Sequence, residues 1–293
     1  MPTRIKRVGV SDKKDILEMS RHTWEGHDYL PSVIDEWLED TASNLYGVEV
    51  DERLVAVANL RLVDEGRTGW MEGLRVHPDF RGKGYAHILT QELIERAKEL
   101  GVVRLRYTTS TENEASLKLA EKYGFIRVFE MSVFWRPDIR AALPGANHHA
   151  TRISSPAEIY ALVQANSHLI PSRILVFDWK ALDCTLEGLE ALGKSHEFYV
   201  SHQKGTVDSL SYGSIRHRGE ILLWVFTIHA INPRGFLSHL HRNIASASER
   251  RCNAVMGTYD VKFKTAFREV DLGSEEWGTN LVLLERAFQE TAD

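Results

Sequence analysis

The spacing of apolar and polar positions predicts alternating strands and helices in the first half of the chain. Apolar residues at every second position predict strands, and apolar residues at helical spacing between caps and glycines predict helices. The predicted strands cover residues 4–10, 45–50, 54–63, 68–76, 102–108 and 125–135. The predicted helices, counted with their caps, cover residues 11–21, 30–40, 84–100 and 113–123.

The second half repeats much of this order. It predicts helices over 156–169 and 232–250, a short helix after residue 259, and strands over 197–201, 206–215, 220–228, 254–259 and 280–286. Matching element order indicates tandem duplication of one fold, and the alternative is an unrelated α+β domain. The 293 residues suffice for two domains. We predict domains at 1–140 and 151–293, joined by a linker at 141–150 that contains Pro144 and Gly145.

Composition and charge exclude several classes of protein. Hydrophobic residues make up 43% and charged residues 26%, which excludes a disordered or fibrous chain. The net charge of -5 provides no basic footprint for nucleic acid. The two cysteines lack metal-binding or redox spacing, and the longest apolar run, at 221–226, is too short to cross a bilayer. We therefore expect a cytoplasmic protein with no metal, membrane or nucleic-acid partner.

Residues 72–86 carry the most informative pattern. They predict a strand, a short loop with Gly82 and Gly84, and the start of a helix. Glycines let the backbone come close to a ligand, and the free amides of a helix start bind anions. Arg81 and Lys83 add positive charge at the same place. The pattern predicts a pyrophosphate site that needs no catalytic metal, although its spacing is that of neither a Walker A loop nor a Rossmann fingerprint.

Three motifs in order resemble the GCN5-related N-acetyltransferases (GNATs). Arg81-x-x-Gly84-x-Ala86 resembles that family's pyrophosphate-binding motif, 74–78 resembles its fourth strand, and 113–125 resembles its next block. The resemblance covers residues 1–136 and implies a mixed, mostly antiparallel central sheet flanked by helices. It also implies acetyl-CoA as cosubstrate. The residues that it implies for cofactor binding are Leu74, Arg75, Val76, Arg81, Gly82, Lys83, Gly84, Tyr85, Ala86, Asn113 and Ser116.

Acetylation of an amine needs a base, because an ammonium has no lone pair. We assign this role to Glu72. By strand alternation Glu72 would share a face with Trp70, Leu74 and Val76, and burial beside Trp70 would raise its pKa. The alternative is a structural glutamate that binds a buried backbone group or an arginine.

The departing thiolate needs an acid, which members of the family often supply from a tyrosine in the helix of the third motif. Ala120 stands at that position here. Tyr123, Tyr107, Ser116 or a water are the remaining donors. Tyr123 is our candidate, and packing near the helix end is the alternative role for it.

Residues 24–31 place aromatic and acidic side chains after the first helix, where acetyltransferases of this fold bind the acceptor. Asp28 or Glu25 would pair with an ammonium group of the acceptor, and Trp24 or Tyr29 would stack on its ring. The alternative is that these residues pack a corner between two helices. The segment 24–31, together with 72–76 and 167–179, resembles the histidine N-acetyltransferase-like proteins. That resemblance implies acetylation of the α-amine of a free amino acid such as histidine.

The second half lacks an Arg-x-x-Gly-x-Ala motif. At the matching place, 232–236, Pro233 removes an amide donor. We expect this half to bind no CoA and either to wall the acceptor pocket or to mediate dimerisation, in a monomer or a homodimer. The leading hypothesis is a small-molecule N-acetyltransferase. The alternatives are a protein or peptide acetyltransferase and a non-catalytic acyl-CoA sensor, which Ala120 favours.

Overall fold

The computed structural model describes residues 3–21, 23, 28–137, 149–270 and 277–288. The contacts divide the chain into two compact units. Unit 1 comprises residues 1–107, 119–126 and 285–293, and unit 2 comprises residues 108–118 and 127–284. The domain boundary at 141–150 stays a prediction, since residues 138–148 lie outside the described residues.

Unit 1 contains most elements of the first half. Its sheet has the order β1-β2-β3-β4-β5, antiparallel except that β4 and β5 are parallel. The strands are β1 (Thr3–Arg7), β2 (Ser43–Val50), β3 (Arg53–Val63), β4 (Thr68–Val76) and β5 (Arg104–Ser110). The helices are α1 (Lys13–Arg21), α2 (Leu30–Glu39), α3 (Tyr85–Glu99) and α4 (Glu114–Lys122). The last residues of β5 and the first of α4 belong to unit 2.

The helices α2 and α3 of unit 1 pack on its sheet through apolar residues at helical spacing. Leu30, Ile34 and Trp37 follow one stripe of α2 and are buried with Leu45 and Leu54 of the sheet. The buried stripe of α3 packs against β2, β3 and β4. Burial of such stripes supplies most of the stability of surface helices.

Unit 2 contains sheet strands in the order β14-β6-β13-β12-β11-β10-β7, and a separate hairpin of β8 and β9. Its strands are β6 (Ile126–Pro137), β7 (Thr151–Ile153), β8 (Ile174–Phe177), β9 (Lys180–Asp183), β10 (Glu197–Gln203), β11 (Thr206–Arg218), β12 (Ile221–Ala230), β13 (Ala254–Asp260) and β14 (Trp277–Ala287). Its helices are α5 (Pro156–Ala165), α6 (Leu186–Gly193), α7 (Pro233–Glu249) and α8 (Lys264–Arg268). The end of β14 belongs to unit 1, where Glu285 accepts a hydrogen bond of 2.7 Å from Arg106.

The predicted fold class is confirmed: a mixed, mostly antiparallel sheet is flanked by helices, and the second half repeats the element order of the first. All predicted strands and helices are present, with ends shifted by a few residues. The sequence analysis missed β7, β8, β9 and α6. Among the described residues, no helix is long and apolar enough to cross a membrane.

Candidate active site

β4 and β5 separate after a short stretch of pairing. Residues 68–70 of β4 pair with 104–106 of β5, and the pairing ends there. β4 continues to Val76 and remains paired with β3, where Val76 faces Ala56. The edge of β4 beyond Trp70 therefore turns away from its parallel neighbour. Such an edge can bind an extended ligand as an added strand.

A bulge in β4 changes which side chains share a face. Val57 faces Arg75 and Asn59 faces Glu72, so two residues of β4, Gly73 and Leu74, lie opposite one residue of β3. Residues that face each other across a strand pair lie on the same side of the sheet. The predicted shared face of Glu72 with Leu74 and Val76 is therefore wrong, because the bulge breaks the alternation and places Arg75 there instead.

Gly73 fits the bulge for two reasons. Its φ is +70°, in the left-handed region that favours glycine. A Cβ atom here would lie 2.6 Å from the ring of Trp37. The buried stripe of α2 thus packs directly on the bulge.

The loop between β4 and α3 forms an open helix start. Gly82 and Gly84 have φ values of +75° and +86°, and a Cβ at either position would meet no atom within 4 Å. The first turn of α3 closes with Ile88 N–H donating to Gly84 O, so the preceding amides lie at the open end of the helix. The Nε of Arg81 donates to Val76 O at 3.3 Å, and the Nζ of Lys83 lies 4.5 Å from the ring centroid of Phe80. Both cationic side chains are exposed, and Tyr85 and Ala86 begin the helix directly after them. A helix start with free amides can bind an anion.

Glu72 is half-buried and hydrogen-bonded to the strand opposite. Its Oε1 accepts a bond of 3.2 Å from Nδ2 of Asn59. Trp70, on the same face, is buried as expected. The assignment of Glu72 as the base stays a prediction. Asn59 is a functional candidate that the sequence analysis missed, although a single polar residue within an apolar strand pattern was a signal for it.

Asp28, Tyr29 and Arg75 form a compact polar cluster. Nε and Nη2 of Arg75 donate to the two carboxylate oxygens of Asp28 at 2.8 and 2.9 Å. The guanidinium lies 5.3 Å from the ring centroid of Tyr29, and burial raises the pKa of Tyr29 to about 12. The Asp28 side chain is only 1% exposed, so Arg75 already compensates its charge. Trp24, the other acceptor candidate, lies outside the described residues.

Three predicted positions have structural partners. The Tyr123 hydroxyl donates to His87 O at 3.0 Å and so ties the end of α4 to the first turn of α3. In unit 2, Oδ1 of Asn113 accepts from the Ser116 amide at 3.2 Å and caps α4. The catalytic role of Tyr123 and the cofactor contacts of Asn113 and Ser116 stay predictions. Ala120, at the family's usual tyrosine position, is buried.

The matching elements of unit 2 have a different geometry. β12 and β13 pair continuously at residues 223–228 and 254–259, so these parallel strands do not separate as early as β4 and β5. At the start of α7, Oδ1 of Asn232 accepts from the Gly235 amide at 2.8 Å. A Cβ at Gly235 would lie 2.6 Å from Oγ of Ser209, and the buried Asp208 carboxylate lies beside it. An occupied cap and a buried carboxylate both oppose binding of an anion at this helix start.

A mixed sheet whose parallel strands separate beside an open helix start is the fold of a GCN5-related acetyltransferase. Residues 14–125 match the model of the acetyltransferase (GNAT) family. Two solved structures share the fold along the whole chain. A GCN5-related N-acetyltransferase from Sphaerobacter thermophilus is 15% identical with a TM-score of 0.67, covering 97% of this chain and 95% of the other. A tandem GNAT protein from the clavulanic acid biosynthesis pathway is 16% identical with a TM-score of 0.58, covering 98% of both chains.

A curated relative is similar over a shorter stretch. A histidine N-acetyltransferase from Oreochromis niloticus is 34% identical over 119 residues, which are 39% of this chain and 34% of the relative. The match therefore spans about a third of that relative's length.

Proposed function

We propose that this protein transfers an acetyl group from acetyl-CoA to the amine of a small molecule. The observation that carries the proposal is the edge of β4, which leaves β5 after Trp70 and ends at the open start of α3. The GNAT family match over residues 14–125 supports the same chemistry. For the acceptor, we propose the α-amine of a free amino acid such as histidine, which the name of the Oreochromis niloticus relative supports.

The residues of unit 1 fit the cofactor. The helix-start amides at 82–86, with Arg81 and Lys83, would hold the pyrophosphate, since a Cβ at Gly82 or Gly84 meets no atom within 4 Å. The backbone of Leu74, Arg75 and Val76 would pair with the pantetheine arm. When bound, acetyl-CoA supplies a thioester carbonyl that accepts the amine nitrogen.

Proton transfer would begin at Glu72. Its carboxylate takes a proton from the acceptor ammonium, and the free amine attacks directly, through a tetrahedral intermediate. The cluster of Asp28, Tyr29 and Arg75 shares the face of Glu72 and would shape the acceptor site. Tyr123 remains the candidate that protonates the thiolate. To protonate the thiolate, the Tyr123 hydroxyl would have to give up its hydrogen bond to His87 O and donate to the sulfur instead.

Release of free CoA, measured with acetyl-CoA and a panel of amino acids, polyamines, amino sugars and peptides, tests the proposal. We expect turnover with at least one small amine. Glu72→Gln should lower kcat by about 10²–10⁴-fold, the usual contribution of a general base, with little change in CoA affinity. Glu95→Gln, an exposed change on α3, is the control and should behave as the wild type. Unchanged turnover in Glu72→Gln would remove Glu72 from this role, and turnover with peptides alone would favour the protein acetyltransferase alternative.

A further inference from the structure

Asn59 is the one polar residue in the buried run 54–60 of β3. Its exposed fraction is 0%, whereas its neighbours in the run are alanine, valine and leucine. A buried amide lowers stability unless its polar atoms are paired. A polar residue at this position therefore needs an explanation that packing does not give.

The hydrogen bonds of Asn59 fix the orientation of its amide. Nδ2 donates to Oε1 of Glu72 at 3.2 Å and to Oγ of Ser43 at 3.3 Å, while the Ser43 hydroxyl donates to Asp40 at 3.5 Å. Among the described residues, no donor reaches Oδ1 of Asn59. A flipped amide would turn this oxygen toward the carboxylate of Glu72. Within the described residues, this buried carbonyl oxygen is therefore without a donor, while both amide protons are used, one of them on Glu72.

This arrangement favours one protonation state of Glu72. An N–H donor stabilises a carboxylate over the neutral acid. Among the described residues, the charged and titratable groups near Glu72 include members of β3, β4 and the segment before α2. Arg61 interacts electrostatically with Glu72, and Arg75 adds a second positive charge on the same face. Burial raises the pKa of Tyr29 to about 12, so Tyr29 is neutral near pH 7. Of these neighbours, Asn59 lies directly opposite Glu72 in the strand register.

We infer that Asn59 is a positioning residue for Glu72, which holds the carboxylate in one orientation and in its ionised, proton-accepting form. The inference rests on the proposed function of Glu72 as the base. It assigns Asn59 no contact with the substrate. It explains why β3 carries an amide where an apolar side chain would pack without an unsatisfied atom.

The pH profile of kcat/KM tests this inference with three variants. Asn59→Asp replaces the donor by a second negative charge beside Glu72. The midpoint of the acid limb of the kcat/KM profile should therefore move up by about one pH unit. At pH values below this limb, the shift lowers kcat/KM by about tenfold. Asn59→Leu removes the donor and should move the limb in the same direction by less. Both variants should approach the wild-type rate at high pH, and their affinity for CoA should be unchanged. The control is Asn44→Leu, which removes a buried amide on β2 that donates to Leu60 O and should leave the limb in place.

A second readout does not require turnover. The carboxyl carbon of Glu72, labelled with ¹³C and assigned by its loss in Glu72→Gln, should titrate at a higher pH in Asn59→Asp than in the wild type. An unmoved midpoint, or a rate that falls equally at all pH values, would overturn the inference while the proposed function stands. Absence of acetyl transfer by the wild type would overturn the proposed function instead, and the titration would still decide the role of Asn59.

Discussion

At the scale of single residues, Gly73 links the packing of α2 to the geometry of the candidate site. Its left-handed φ forms the bulge that turns Arg75 onto the face of Glu72. The sequence predicted β4 correctly but placed the wrong side chains on that face. Strict alternation fails here because the bulge inserts one extra residue into β4. The close approach of Trp37, far away in the sequence, leaves no room for a Cβ at Gly73. A glycine within a strand pattern indicates a bulge only weakly.

Gly73→Ala should destabilise the protein more than an alanine at another left-handed glycine. A left-handed alanine costs about 1–2 kcal/mol, and overpacking against Trp37 adds about 1–3 kcal/mol. Gly66→Ala is the matched control, since Gly66 has a φ of +82° and no atom within 4 Å of a Cβ. Urea unfolding of both variants measures the difference. Equal losses would contradict the proposed contact with Trp37.

Two histidines, the buried His196 and the partly buried His229, should make stability depend on pH. Burial lowers the pKa of His229 and of His196 to about 4 each. Because these folded values lie below the ordinary 6.5, the unfolded chain binds more protons in between. Their contribution to the free energy of unfolding is complete above pH 6.5. It is lost as the pH falls toward 4, by about 3 kcal/mol for each histidine. The free energy of unfolding should therefore fall less steeply over this range in His229→Gln than in the wild type. The exposed control, His202→Gln, should keep the wild-type slope, and a wild-type slope in His229→Gln would refute the assignment.

At the scale of elements, the start of α3 shows how much a local pattern can predict. Gly82 and Gly84, followed by an apolar helical period, specify both the turn and the helix. The hairpin of β8 and β9 was missed because its strands have four residues each and no sustained period. α6 was missed because it has eight residues, two of them glycine. Tertiary burial of residues such as Leu175 and Leu189 stabilises these short elements, and their local sequence does not reveal it.

Lys83→Ala should weaken binding of CoA without weakening binding of pantetheine. Pantetheine lacks the pyrophosphate, so the charge of Lys83 has nothing to stabilise there. We expect about a tenfold loss of CoA affinity by calorimetry, equivalent to about 1.4 kcal/mol, and a smaller loss at high salt. Lys98→Ala, in the last turn of the same helix, should leave both affinities unchanged. Equal losses for CoA and pantetheine would contradict a phosphate role.

At the scale of the whole molecule, the second half repeats the element order of the first, but among the described residues only the first half has parallel strands that separate early beside an open helix start. The sequence predicted this asymmetry from a missing glycine motif and Pro233 in the second half. The structure adds the continuous pairing of β12 with β13 and the buried Asp208 beside α7. Local patterns could not have predicted the pairing of β12 with β13, because the separation of parallel strands is a tertiary feature.

Calorimetric titration of the wild type with CoA should therefore give one site per chain. Asp208→Asn, which removes the buried negative charge at α7, should not create a second site, because β12 and β13 remain paired. A stoichiometry of two in the wild type would contradict the assignment of a single cofactor site.

Transfer of an acetyl group from acetyl-CoA to a small amine underlies every role proposed for these residues. Acetyl-CoA labelled in the acetyl carbonyl, incubated with the purified protein and histidine among other free amino acids, measures this transfer by mass spectrometry. We predict that the label is found on the amine nitrogen of a free amino acid, with loss of product in Glu72→Gln. Label that stays on CoA in every mixture, although CoA binds, would contradict the account.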